Sequence, residues 1–151
     1  MSDTSVLTPE QRAFLNMERV GHLATADTVG QPHVVPVCYA AGADSVYIAL
    51  DAKPKRVAWQ QLKRVRNLLV NPHVALVIDR YSEAWSHLAY LVIRGTAVLL
   101  PPDTAEQQQA VTLLRARYPQ YQVMPIEAQP VIAIRPHAVA AWGDLLAATH
   151  R

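Results

Sequence analysis

The order of the predicted secondary-structure elements constrains the fold of this chain more than any other sequence feature. Three strand-like runs, at residues 20–26, 32–41 and 45–50, are separated by short turns that contain Gly and Asp. We expect them to form a three-stranded antiparallel meander. A helix follows the third run, and further strands come after it. This order predicts a small closed or half-closed antiparallel barrel with flanking helices, because a doubly wound sheet needs regular alternation of strands and helices.

Three helices are predicted from their end signals and apolar spacing. Thr8-Pro9-Glu10-Gln11 combines an N-cap, a proline at the first helical position and a capping-box glutamine, so the first helix should reach about Arg19. The second should be an amphipathic helix over residues 56–69, ended by Asn71-Pro72. The third should be capped by Asp103 and extend to Tyr118.

The second half of the chain should add three or four strands. Residues 74–79 and 88–100 have strand character, and Gly95 is a suitable bulge point in the longer run. Residues 131–135 and 138–142 are expected to be final strands interrupted by Pro136.

Length and composition indicate one domain over residues 1–151. The chain is 51% hydrophobic and 17% charged, and no window approaches the ~20 apolar residues of a membrane span. The start of the chain lacks the cationic and apolar regions of a signal peptide. Its single cysteine, Cys38, has no internal partner for a disulfide. We therefore expect a cytoplasmic protein that does not bind a membrane.

A basic turn, Asp51-Ala52-Lys53-Pro54-Lys55-Arg56, is the strongest sign of a ligand site. Six of the chain's 14 Lys and Arg residues fall within residues 53–66, which contain no acid, although the net charge is only +2. Pro54 is a helix start signal, so backbone donors, the helix dipole and the cations of Lys53, Lys55 and Arg56 should converge on a phosphate. For Lys63, Arg64 and Arg66 we favour an ordinary solvated helix face.

No motif predicts a catalytic side chain or a metal site. The six histidines lack metal-ligand spacing with each other or with Cys38, and no serine lies in a nucleophile elbow. Pro36 cannot donate to a ladder, so its strand either protects an edge or offers free backbone groups to a planar ring. Tyr81, Trp85 and Tyr90 cluster between two strands and favour a pocket or a subunit contact.

Several short sequence motifs resemble those of the pyridoxamine 5'-phosphate oxidase-like split β-barrel superfamily. The resemblance is greatest to its branch of flavin and deazaflavin (coenzyme F420) dependent oxidoreductases. The resemblance covers about residues 15–95. It rests on Leu23-Ala24-Thr25-Ala26, the turn with Gly30, Pro32–Val37, the Lys-Pro-Lys-Arg turn, residues 62–67, Asn71-Pro72 and residues 74–79. It implies a mainly β fold, a six-to-seven-stranded antiparallel split β-barrel of the FMN-binding type with flanking helices. The full phosphate and pyridoxal-binding set of true pyridoxamine phosphate oxidases is not found, which argues against that specific activity.

The resemblance also implies a homodimer that binds a flavin-type cofactor in a groove between its subunits. By position, Lys53, Lys55 and Arg56 would hold the cofactor phosphate. Thr25 and residues 34–37, including Val35, Pro36 and Val37, would lie along the tricyclic ring. Tyr81 and Trp85 would approach the ring or the substrate from the same or the other subunit.

The function expected from this cofactor is hydride transfer to or from a small unsaturated organic molecule. A flavin or deazaflavin carries its own redox chemistry, which is consistent with the lack of a catalytic motif. We favour F420, because the resemblance is closest there, over FMN. The alternatives are an FMN-binding protein or FMN reductase, a cofactor carrier without turnover, and a small barrel that binds single-stranded nucleic acid, which the low net charge disfavours.

Overall fold

The computed structural model describes residues 6–50 and 58–147. The basic turn with Lys53, Lys55 and Arg56 lies outside the described residues, so its predicted role is not tested by the fold. Seven strands are described: β1 (Gly21–Ala26), β2 (Pro32–Val37), β3 (Ala40–Ala41), β4 (Val46–Ala49), β5 (His73–Arg80), β6 (Ala89–Leu100) and β7 (Val131–Gly143). Three α-helices accompany them: α1 (Pro9–Met17), α2 (Lys63–Val70) and α3 (Ala105–Arg117).

The strands form one curled antiparallel sheet in the order β2-β1-β5-β6-β7-β4-β3. This half-barrel with flanking helices confirms the predicted split-barrel fold class. Alternate residues of β1, β5 and β6 are buried, which is the pattern of strands with one face on a core. One apolar core lies between the sheet and helices α1 and α2, and a second core lies under α3.

The predicted three-stranded meander is wrong. β1 and β2 form one hairpin, β3 and β4 form another, and the second hairpin lies at the far end of the sheet, where β4 pairs with β7. The chain leaves the first hairpin at Tyr39, whose backbone N–H donates to the Tyr118 hydroxyl instead of to a strand. The Tyr39 hydroxyl in turn donates to the carbonyls of Leu15 and Glu18, so a buried tyrosine network separates the two hairpins.

Helix α1 begins as predicted. The Thr8 hydroxyl accepts from the Gln11 N–H, and the Gln11 side chain accepts from the Thr8 N–H, which is a complete capping box. Helix α3 differs from its prediction, because Thr104 is its N-cap. Asp103 adopts a left-handed backbone, with φ of 66°, and therefore belongs to the preceding turn.

Helix α2 begins later than predicted. Ala58 is extended, Trp59–Gln61 form a single 3₁₀ turn, and the α-helix starts at Lys63. A 3₁₀ turn aligns residues three apart, and here it directs Trp59 and Leu62 toward the same core. The continuous helix expected over residues 56–69 is therefore wrong. Its predicted end is confirmed, since Asn71 is the C-cap.

The longest strand pair carries a bulge at the predicted glycine. The β6–β7 register shifts between Arg94 and Gly95, where Gly95 faces Pro136 and the extra residue is His137 on β7. The two final strands that Pro136 was expected to separate are thus one strand of 13 residues. A Cβ on Gly95 would overlap the Arg135 carbonyl oxygen, so the bulge needs a residue without a side chain.

Helix α3 is tied to the sheet by a charged network. The Glu106 carboxylate accepts from Arg135 on β7 and, at 2.8 Å, from the Tyr47 hydroxyl on β4. The hydrogen bond from Arg135 lowers the pKa of the Glu106 carboxyl. Burial, together with the hydrogen bond to Glu106, raises the pKa of Tyr47 to about 12. Glu106 therefore remains ionised and links three elements.

We expect Gly95→Ala to lower the free energy of unfolding by about 3 kcal/mol, because its methyl group would overlap a backbone carbonyl that cannot move independently of the sheet. Gly30→Ala is the matched control: Gly30 has φ of 84°, but a methyl group there would meet no neighbouring atom, so only backbone strain of about 1 kcal/mol applies. Urea unfolding measures both. Equal losses in the two variants would contradict the steric explanation.

We also expect stability to fall as the Glu106 network is protonated. The folded-state pKa of Glu106 lies below its ordinary value of 4.5, so the contribution is complete above that value and is lost as the pH falls through the lowered pKa. Thermal melts from pH 7 to pH 3 should show a shallower decline for Glu106→Gln than for the wild type. Glu83→Gln removes an exposed carboxylate from the segment between β5 and β6. Its thermal stability should depend on pH in the same way as that of the wild type. A profile of Glu106→Gln parallel to the wild type would refute this prediction.

Candidate functional site

A cleft of about 160 Å³ opens where β2 and β4 end beside α2. Strand β2 contributes its last residues, β4 its final residue, and α2 its first turn. The lining residues are Val20, Pro36, Val37, Cys38, Ala49, Arg64 and Tyr121. Most of this wall is apolar, and Arg64 is its cation.

The basic turn follows the cleft wall closely in the sequence. Ala49 lies in the cleft wall, and Asp51 follows it by two positions in the sequence. The cleft is therefore adjacent along the chain to the segment in which phosphate binding was predicted.

Three cations of α2 have different environments. Arg64 is half-buried and lines the cleft, so the predicted solvated face is wrong for this residue. Arg66 is exposed, and Lys63 lies 3.9 Å from the Asp27 carboxylate of the β1–β2 turn. Sequence reasoning missed Arg64 because its position depends on where α2 begins.

The β2 residues that were expected to contact a ring lie in two different environments. β2 is a terminal strand of the sheet, as Pro36 suggested. Pro36 and Val37 line the cleft, whereas the Val35 side chain packs partly buried against the main core. The fold therefore brings two of these three residues to the cleft and leaves both interpretations of Pro36 open.

Thr25 lies beneath α2 and not in the cleft wall. Its exposed fraction is 3%, and its hydroxyl oxygen accepts a hydrogen bond of 3.0 Å from the side-chain amide of Asn67, which is 1% exposed. This buried pair connects β1 to α2. It thereby helps to hold the helix turn from which Arg64 extends.

Tyr81 and Trp85 lie on the segment between β5 and β6, in which Trp85–His87 form a 3₁₀ turn. Both are strongly exposed, at 66% and 71%, and neither lines the cleft of its own chain. Nearby on the sheet, Tyr90 and Trp142 stack with their ring centroids 5.9 Å apart. This pair was not identified as a unit from the sequence, because the β6–β7 register alone makes the rings neighbours.

The outer face of the sheet carries a row of residues that is apolar except for His22. The row crosses five strands in the order Pro36, His22, Val77, Val92 and Ala140. All five side chains are exposed or half-buried. A continuous surface of this kind commonly marks an interaction face.

Within residues 6–50 and 58–147, no three His, Cys, Asp or Glu side chains are placed to hold a metal ion together. None of the helices in the same residues has the length and apolar character that crossing a bilayer requires.

One curated relative is an enzyme. The chain is 27% identical over 150 residues to the 5a,11a-dehydrotetracycline/5a,11a-dehydrooxytetracycline reductase of Streptomyces rimosus, and the match covers 95% of this chain and 89% of the relative.

Similar solved structures share the fold. The haem storage protein HutZ of Vibrio cholerae matches with a TM-score of 0.69 and 17% identity, over 91% of this chain and 94% of its own. An FAD-binding protein from Mesorhizobium loti matches with a TM-score of 0.65 and 23% identity, over 89% of this chain and 94% of its own.

The family model for pyridoxamine 5'-phosphate oxidase matches residues 7–143. This match includes every strand and helix described above. The chain therefore belongs to the pyridoxamine 5'-phosphate oxidase family.

Proposed function

We propose that this protein is a cytoplasmic, homodimeric oxidoreductase that binds coenzyme F420, or alternatively FMN, and transfers a hydride to or from a small unsaturated organic molecule. The observation that carries the proposal is the cleft at the ends of β2 and β4. It combines an apolar wall at Pro36 and Val37 with the cation of Arg64, and the basic turn follows its wall in the sequence. An apolar surface beside a cationic one suits a planar ring with an anionic tail.

The cleft is smaller than a usual small-molecule site. Sites for small molecules usually enclose about 300–1,000 Å³, whereas this cleft measures about 160 Å³. The residues that line it therefore form only part of a site for a tricyclic cofactor. The basic turn and a second subunit would supply the rest.

The residues of this chain would bind and orient the cofactor. Lys53, Lys55 and Arg56 would anchor its phosphate, and Arg64 would add positive charge at the cleft. Pro36 and Val37 would support one face of the ring and exclude water from it. A bound flavin or deazaflavin supplies the redox chemistry itself, so the protein needs no nucleophile or metal.

The outer face of the sheet is the surface that we assign to the homodimer. The row that includes Pro36, Val77 and Ala140 is apolar except for His22, and it ends at the strand that lines the cleft. Burying this face against a second copy would remove apolar area from water. The sequence resemblance implies that Tyr81 and Trp85, of the same or the other subunit, would approach the bound ring or the substrate.

The reductase among the relatives supports the oxidoreductase class, and the closest sequence resemblance supports F420 over FMN. An FMN-binding protein or a carrier without turnover would use the same cleft. Binding of single-stranded nucleic acid is the remaining alternative, and it predicts an affinity that falls steeply with salt.

Titration of the purified protein with oxidised F420, FMN, haemin and a single-stranded oligonucleotide distinguishes these functions. We expect micromolar binding of oxidised F420 and, in a separate assay that starts from reduced F420, its oxidation when a dehydrotetracycline is added and reduced. Binding of FMN with a flavin-dependent reaction favours the alternative cofactor, and F420 binding without turnover favours the carrier. Binding of haemin or oligonucleotide alone, or of none of the four, would refute the proposal.

Removing the predicted phosphate contacts should weaken cofactor binding. We expect Lys55→Ala/Arg56→Ala to raise the Kd by about 100-fold, or about 3 kcal/mol, because two charge-assisted contacts are lost. Lys63→Ala/Arg66→Ala removes the same charge from α2, outside the cleft wall, and should change the Kd by less than about fivefold. Fluorescence titration measures both, and equal effects would exclude a specific phosphate site.

A charge on the outer sheet face should dissociate the dimer. We expect Ala140→Glu to produce a folded monomer with weakened cofactor binding, because an unpaired carboxylate would be buried at the interface. Val29→Glu introduces the same charge at an 86% exposed turn position and should leave the dimer intact. Light scattering coupled to gel filtration gives the masses. If both variants retain the mass of the wild type, this face is not the interface.

A further inference from the structure

Arg80 is a buried cation at the end of β5, with an exposed fraction of 8%. Its Nε donates to the His87 carbonyl at 2.9 Å, and its Nη2 donates to the Asp144 carbonyl. Its Nη1 lies 3.9 Å from a carboxylate oxygen of Glu18, the C-cap of α1, and its guanidinium lies over the Phe14 ring at 5.2 Å. One side chain therefore joins β5, α1, the segment after β7 and the segment before β6.

The segment before β6, residues 81–88, is called the aromatic loop here because it carries Tyr81 and Trp85. Within the described part of the chain, the strand pairs Arg80–Ala89 and Ala89–Gly143 hold its two ends, and its turn hydrogen bonds are local. Ala84 N–H donates to the Ser82 hydroxyl, and His87 and Leu88 donate to carbonyls three residues earlier. Local bonds shape a turn but do not fix it to the sheet. The bond from Arg80 to the His87 carbonyl adds a fixed point inside the loop, two residues after Trp85.

We propose that Arg80 is a positioning residue: it holds the aromatic loop so that Trp85 is presented to the cofactor or substrate bound between subunits. The inference rests on the proposed function, since it requires a ligand in the groove. A tryptophan that is 71% exposed has little packing to hold it. Its direction therefore depends on the backbone that carries it, and that backbone is anchored through His87.

The forked guanidinium of Arg80 allows one side chain to hold the aromatic loop through several contacts. It donates from two nitrogens to two carbonyls while a third nitrogen faces Glu18. Lysine keeps the positive charge near Glu18 but has a single nitrogen, so it cannot span both carbonyls with the same geometry. Arg80→Lys should consequently release the loop without removing the positive charge that faces the buried Glu18 carboxylate.

Arg117, the last residue of α3, provides a matched control elsewhere in the fold. It also donates to backbone carbonyls, those of Asn16, Glu18 and Tyr39. None of these acceptors belongs to the aromatic loop. Arg117→Lys is therefore the same chemical change as Arg80→Lys. It should lower stability for the same reason, without releasing residues 81–88.

The test uses the full chain and measures the Kd of oxidised F420 and of FMN for Arg80→Lys, Arg117→Lys, Trp85→Ala and the double variant Arg80→Lys/Trp85→Ala. We expect Arg80→Lys and Trp85→Ala each to raise the Kd by about tenfold, because a displaced contact forfeits its binding energy. Arg117→Lys should raise it by less than about twofold at a similar loss in Tm. The double variant should bind no more weakly than Trp85→Ala, because both changes remove one interaction.

A second measurement follows the loop itself. Acrylamide quenching of Trp85, in chains with Trp59→Phe and Trp142→Phe, should change with Arg80→Lys and not with Arg117→Lys. Unchanged Kd values in Trp85→Ala overturn the inference even if Arg80→Lys does not fold. Equal effects of the two arginine variants, or additive effects in the double variant, also overturn it. Failure of the wild type to bind either cofactor overturns the proposed function first, and this inference with it.

Discussion

The pairing of β6 with β7 is the interaction on which the rest of the structure depends. These are the two longest strands, and they join the β2-β1-β5 side of the sheet to the β4-β3 side. Without this pair, the two hairpins of the first half of the chain would share no sheet. The bulge at Gly95 interrupts the register of this pair. Strand β4 and the first part of β7 are buried on both faces, one in the main core and the other in the core under α3.

The cleft is a consequence of the curl of the sheet. The end of β2 and the end of β4 are at opposite sides of the sheet order, yet Pro36 and Ala49 line one concavity. A flat sheet of seven strands would separate them by about 25 Å, at about 4.8 Å per strand spacing. Curvature therefore creates the site, and the buried Thr25–Asn67 hydrogen bond fixes α2 against it.

Different arginines in this chain have different surroundings. Arg117 joins the end of α3 to α1 and to Tyr39 through backbone carbonyls, and Arg135 joins β7 to α3 through the Glu106 carboxylate. Arg80 fastens the base of an exposed aromatic loop, and Arg64 faces the cleft. These roles cannot be assigned from residue type, because each depends on the acceptors that the fold brings within reach.

The sequence by itself determined the features that depend on neighbouring residues: the capping box at Thr8, the end of α2 at Asn71, the bulge at Gly95, the edge position of β2 and the concentration of cations in residues 53–66. Only the tertiary structure decided that β4 pairs with β7, that α2 starts at Lys63, that Thr25 is buried against Asn67 and that Arg64 lines the cleft. The physical reason is that capping, turn and bulge preferences act within a few residues. Strand partners and side-chain surroundings are set by the burial of whole faces that are distant in the chain.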